Sequence, residues 1–76
     1  MRIANNVAFG TISYILAGDE RLNIKFRRMG YWKEDIFFGT LDELREKKYV
    51  FSQLESMKVN HISVDNGVLL IGVDKC

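Results

Sequence analysis

The stretch HISVDNGVLLIGV, His61 to Val73, constrains this chain more than any other. An Asn-Gly pair between two apolar runs specifies a two-residue type I′ hairpin turn, because both central positions need positive φ. The turn sets the register. Val64 faces Leu69, Ile62 faces Ile71 and Asn60 faces Val73 on one side of the ribbon, which reads as core. Asp65/Val68, Ser63/Leu70 and His61/Gly72 fall on the other side.

A second hairpin is expected from TISYILAGDERLNIKF, residues 11–26. Gly18-Asp19 suits a type II′ turn with glycine at the first central position. Leu22, Ile24 and Phe26 alternate with Arg21, Asn23, Lys25 and Arg27, the pattern of a half-buried strand. This register pairs Ile15 with Leu22, Ser13 with Ile24 and Thr11 with Phe26 on the apolar side. It places Leu16 opposite Arg21, Tyr14 opposite Asn23 and Ile12 opposite Lys25 on the basic side. A competing reading makes residues 5–17 an amphipathic helix, capped by Asn5 or Asn6 and stopped by Gly18.

Met29 to Glu34 reads as a turn containing Gly30, and Asp35 to Phe38 as a short strand. Thr40 and Glu43 then form a capping box, with Asp42 and Glu43 at the positive end of the helix dipole. The helix is expected from Leu41 to Met57, with Leu41, Leu44, Phe51 and Leu54 on its apolar side. Lys47 and Lys48 interrupt that side. Either their stems lie along apolar surface, or the helix bends or ends near Lys48.

The expected order is therefore β-β-β-α-β-β. It gives an α+β fold, one antiparallel-rich sheet with one helix packed on one face, in a single domain over residues 1–76. One helix covers one face only. The other would carry Ile12, Tyr14, Leu16, Arg21, Lys25, Arg27, Val68 and Leu70, and apolar exposure rimmed by charge marks an interaction site.

Composition bounds the functional classes. A chain of 76 residues has a small core, and its net charge of +1 favours no partner class. The charge is uneven, with +4 over residues 1–33 and −3 over residues 34–76. The one cysteine, Cys76, has no internal partner and no metal-ligand spacing around it, which favours a reducing, cytoplasmic setting. No window of 18 apolar residues offers a membrane span, and no signal peptide is legible.

Chemistry is poorly represented. His61 is the only histidine and has no sequence-evident nucleophile or orienting partner. The adjacent pair Asp42/Glu43 is explained by capping, and Glu34/Asp35 reads as a solvated turn. The six glycines match neither a P-loop nor a dinucleotide fingerprint. The expectation is a protein that is not an enzyme and holds no cofactor or metal.

Binding readings remain. The first is a small intracellular protein-binding module, an inhibitor or adaptor acting by occlusion. Its contact surface comprises Ile12, Tyr14, Leu16, Arg21, Lys25, Arg27, Arg28, Tyr31, Trp32, Lys33 and Leu70, combining residue types enriched at interfaces. Small size and absent proline are in the style of phage and mobile-element proteins that block a host enzyme, although no motif carries that likeness. The second reading is single-stranded nucleic-acid binding through residues 21–33, with cations tracking phosphates and aromatic rings stacking on bases. Its plainer counterpart is that Arg21, Lys25 and Arg27 guard an edge strand against aggregation. The third is a homodimer that buries the open face against itself.

Overall fold

A computed structural model describes residues 7–75. The elements in chain order are β1 (Val7–Ala8), α1 (Phe9–Ser13), β2 (Arg21–Arg28), β3 (Tyr31–Thr40), α2 (Leu41–Glu46), α3 (Lys48–Leu54), β4 (Lys58–Asp65) and β5 (Val68–Asp74). The five strands form one mixed sheet in the order β1-β4-β5-β2-β3. Every adjacent pair is antiparallel except β2 with β5, which run parallel. The fold is α+β. Among the described residues, no helix is long and apolar enough to cross a membrane.

The C-terminal hairpin forms as its turn demands. Asn66 and Gly67 adopt positive φ, and Val64/Leu69, Ser63/Leu70, Ile62/Ile71 and His61/Gly72 pair as expected. The expected pair Asn60/Val73 does not form, because Val73 pairs with Val59 and Asn60 bulges out of the ladder. The bulge turns Val59 into the core, where it is fully buried. Asn60 instead sends its Nδ2 to the Arg27 carbonyl at 2.6 Å.

Residues 11–17 do not form a strand, and this corrects the expected second hairpin. Phe9, Ile12 and Leu16 follow a helical rather than a period-two spacing. Phe9 packs edge-on against Phe51 with centroids 6.3 Å apart, and the Phe9 and Gly10 amides donate to the Met57 and Glu55 carbonyls. Both edges of β2, which an N-terminal strand would have to use, are already taken by β3 and β5. The competing helix reading is the closer one, although the helix is short, and its Asn5 or Asn6 cap lies outside the described residues. Gly18 does not make a hairpin turn. Its carbonyl accepts from the Asp42 amide at 2.8 Å, and the Asp42 carboxylate lies where a Gly18 side chain would begin.

The hairpin that β2 does make is with β3, through Met29-Gly30. Both residues have positive φ, so the two-residue turn is confined to them, and residues 31–34 extend β3 rather than forming a loop. Two irregularities in the β3 register, at Ile36 and at residues 33–34, bend this strand along the edge of the sheet.

The capping box is present. Glu43 donates its amide to Thr40 Oγ1 at 3.2 Å, and the Thr40 amide donates to Glu43 Oε1 at 2.8 Å. The helix ends at Lys47, whose ψ of 73° is not helical, and restarts as α3. The lysine interruption thus splits the expected helix in two, and the Lys47 ammonium rests 5.9 Å from the Phe37 ring centroid. The helices cover one sheet face. Phe9, Ile12, Leu41, Leu44 and Leu54 bury against Leu22, Ile24, Phe37, Val59, Ile71 and Val73.

Candidate functional site: the open sheet face

The face opposite the helices is built from cross-strand rows, because directly paired residues project to the same side. One row runs Asp65, Val68, Arg21, Thr40. The next runs Ser63, Leu70, Asn23, Phe38. A third runs His61, Gly72, Lys25, Asp35, and Arg27 with Trp32 closes the set.

The basic row of β2 projects as its alternation indicates. Its setting differs from the expectation: β2 is an interior strand between β5 and β3, so Arg21, Lys25 and Arg27 do not guard an edge. Lys25 pairs with Asp35 at 3.4 Å across the β2–β3 ladder.

The third and fourth rows hold the most elaborate packing on this face. Gly72 leaves a trench between His61 and Lys25. The Arg27 stem occupies it, with Cβ and Cδ each 2.9 Å from where a Gly72 side chain would begin. The Arg27 guanidinium carbon lies 5.2 Å from the Trp32 ring centroid, a cation–π contact. The Trp32 ring reaches across two strands to meet His61 edge-on, with centroids 5.0 Å apart at 84°. His61 also shares a 2.9 Å hydrogen bond with Ser63 Oγ through Nε2. Burial, reinforced by the neighbouring Arg27 charge, holds the His61 pKa below the ordinary histidine value.

Further along the face lies a shallow depression lined by Asn23, Lys25, Phe38, Asp65, Val68 and Leu70. Its apolar element is Phe38, which is 67% exposed, with Val68 and Leu70 beside it. Charges of both signs, Lys25 and Asp65, stand at its margin.

The expected contact residues separate into distinct locations. Arg21, Lys25, Arg27, Trp32 and Leu70 share the open face. Ile12 does not reach it, because α1 turns it into the core at 7% exposure, and Leu16 packs against that core. Tyr14 is 84% exposed but caps α1 in the helical layer, away from the basic row. Arg28, Tyr31 and Lys33 lie at the β2–β3 hairpin end, where Arg28 meets Asp74 at 3.3 Å. Phe38 was not among the expected contact residues. Counting back two residues from the helix cap at Thr40, along the same strand, would have put it on the open face.

Among the described residues no group of three or more histidine, cysteine, aspartate or glutamate side chains is arranged to hold a metal. Cys76 lies outside the described residues. Comparison with known proteins returns no match: no family model, no curated protein and no solved structure is significantly similar to this chain.

Proposed function

We propose that this protein is a small, non-enzymatic binding module, an inhibitor or adaptor that acts by covering a surface of a protein partner. The observation that carries the reading is the Phe38 depression. It is an apolar patch on a sheet face that no element of the described chain covers, with Lys25, Arg21 and Asp65 around it. Exposed aromatics rimmed by charge supply the desolvated anchor and polar border from which protein interfaces draw their affinity. Phe38 is the anchor, Val68 and Leu70 extend it, and Arg21 and Lys25 select an acidic border on the partner. This reading takes the contact between His61 Nε2 and Ser63 Oγ, a nucleophile-type neighbour that sequence reasoning did not find, as part of the packing, with the imidazole held edge-on to Trp32.

The test is site-specific photo-crosslinking in the producing cell, with the reactive group at Phe38 or, as control, at the exposed Gln53 of α3. A discrete adduct from position 38, absent from position 53 and lost on Arg21→Glu with Lys25→Glu, is the expected result. An adduct of twice the protein's own mass would replace a foreign partner with a second copy. Adducts from position 53 alone would overturn the assignment to the open face.

A further inference from the structure

The fold gathers cations that the sequence keeps apart. Two adjoining clefts at the hairpin end of the sheet share Asp74 and Lys75 in their walls. One adds Phe26, Arg28, Lys33 and Glu34; the other adds Arg27, Met29, Gly30, Lys58 and Asn60. Arg27, Arg28, Lys33, Lys58 and Lys75 thus meet around two acids. Lys58 and Lys75 come from the half of the chain whose net charge is negative, and they arrive because β4 begins and β5 ends where β2 ends and β3 begins. Among the described residues Lys33, Lys58 and Lys75 are exposed and make no ion pair, while Arg28 is held by Asp74. Two aromatic rings border the same end, Tyr31 at 71% exposure and Trp32 at 39%.

We propose that this end of the sheet binds single-stranded nucleic acid. Lys33, Lys58 and Lys75 contact successive phosphates, Arg28, held to Asp74 through Nε, turns its Nη groups to a fourth, and Trp32 and Tyr31 take unpaired bases on their faces. Free lysines grouped around clefts match a polyanion. The exposed rings select a single strand, since a duplex keeps its base faces inside the stack. The site lies at the opposite end of the sheet from the Phe38 depression and stands or falls independently of it.

The test is fluorescence anisotropy with a labelled 15-nucleotide oligothymidylate, a 15-base-pair duplex of mixed sequence, and the intact protein, with Trp32 emission followed in parallel. About four phosphate contacts on a single strand predict that affinity falls about 50-fold between 50 and 200 mM salt. The double change Lys58→Glu with Lys75→Glu should weaken binding at 50 mM salt by about tenfold or more and flatten the salt dependence by the share of two contacts. Both lysines are exposed, so the fold should persist, as an unchanged urea midpoint would verify. The charge-matched change Lys47→Glu with Lys48→Glu, in the helical layer, should leave affinity within a few-fold. Quenching of Trp32 by the single strand and weaker binding of the duplex complete the expected result. No binding at 50 mM salt, equal loss from both double variants, or a preference for the duplex without Trp32 quenching would each overturn the proposal.

Discussion

Replacing Gly72 with alanine tests the packing on which the open face depends. The new Cβ would stand 2.9 Å from Arg27 Cβ, 2.9 Å from Arg27 Cδ and 2.9 Å from Asn60 Oδ1. Carbon atoms pack at about 3.5–4.0 Å, so the neighbours must retreat by about half an ångström or more. Arg27 Cβ is fixed by a central strand and cannot retreat without the backbone. Asn60 is fixed by its bond to the Arg27 carbonyl. Overpacking of this kind costs about 1–3 kcal/mol, against about 0.4–1 kcal/mol regained from a stiffer unfolded chain, because Gly72 does not adopt positive φ. The net loss is about 1–2 kcal/mol, which in a domain of this size lowers Tm by about 4–16 °C. Lifting Arg27 also frees Trp32 from its contacts with Arg27 and His61, so its emission should shift to the red. Gly67→Ala is the matched control. It meets no atom within 4 Å but forces alanine to a φ of 77°, so it should destabilise by about 1–2 kcal/mol while leaving Trp32 emission unchanged. If Gly72→Ala keeps both the wild-type Tm and the wild-type emission, the trench and its occupant are wrongly described.

Met29 sits at φ 55° in the β2–β3 turn, a position that favours asparagine or glycine, so Met29→Asn should raise the urea unfolding free energy by about 0.5–1 kcal/mol. Leu54→Ala opens a cavity beneath α3 and should cost about 2–5 kcal/mol, enough to leave part of the population unfolded at 37 °C by circular dichroism. The depressed pKa of His61 means that the unfolded chain binds more protons than the folded one just below pH 6.5. This contribution is complete above that pH and is lost as pH falls toward the folded pKa. Urea midpoints should therefore drop between pH 7.5 and 5.5 in the wild type and drop less in His61→Gln. Thr40→Ala removes the hydroxyl half of the capping box and should lower stability by about 1 kcal/mol in the same urea assay.

What the sequence discloses follows the range of the interactions involved. The Asn66-Gly67 turn is local, so the pairing from Asp65/Val68 back to His61/Gly72 can be read directly from the chain. The same reading fails at Asn60, because the bulge answers a need 33 residues away, the end of the β2–β5 ladder at Arg27. The capping box is four residues long and equally legible. The fate of residues 9–17 is not, since Ile12, Tyr14 and Leu16 alternate like a strand while Phe9, Ile12 and Leu16 recur like a helix. The decision falls to β2, whose two edges are claimed by strands from later in the chain. The outward face of the basic row followed from alternation alone. Its Trp32 cover depends on a glycine 40 positions further along, and Lys58 and Lys75 join the basic end only once the strand order is known.

The parallel seam between β2 and β5 bears on how the chain reaches this state. Hairpins β2–β3 and β4–β5 each close through two-residue turns and can form within microseconds. The seam joins Arg21 to Val68 and Phe26 to Val73, across the whole intervening chain. Its partners lie far apart in the chain, as do those of β1 with β4, so these closures carry more loop-closure entropy than either hairpin. Before the seam closes, each hairpin offers a bare inner edge to any other chain. Dilution should then favour productive refolding over association.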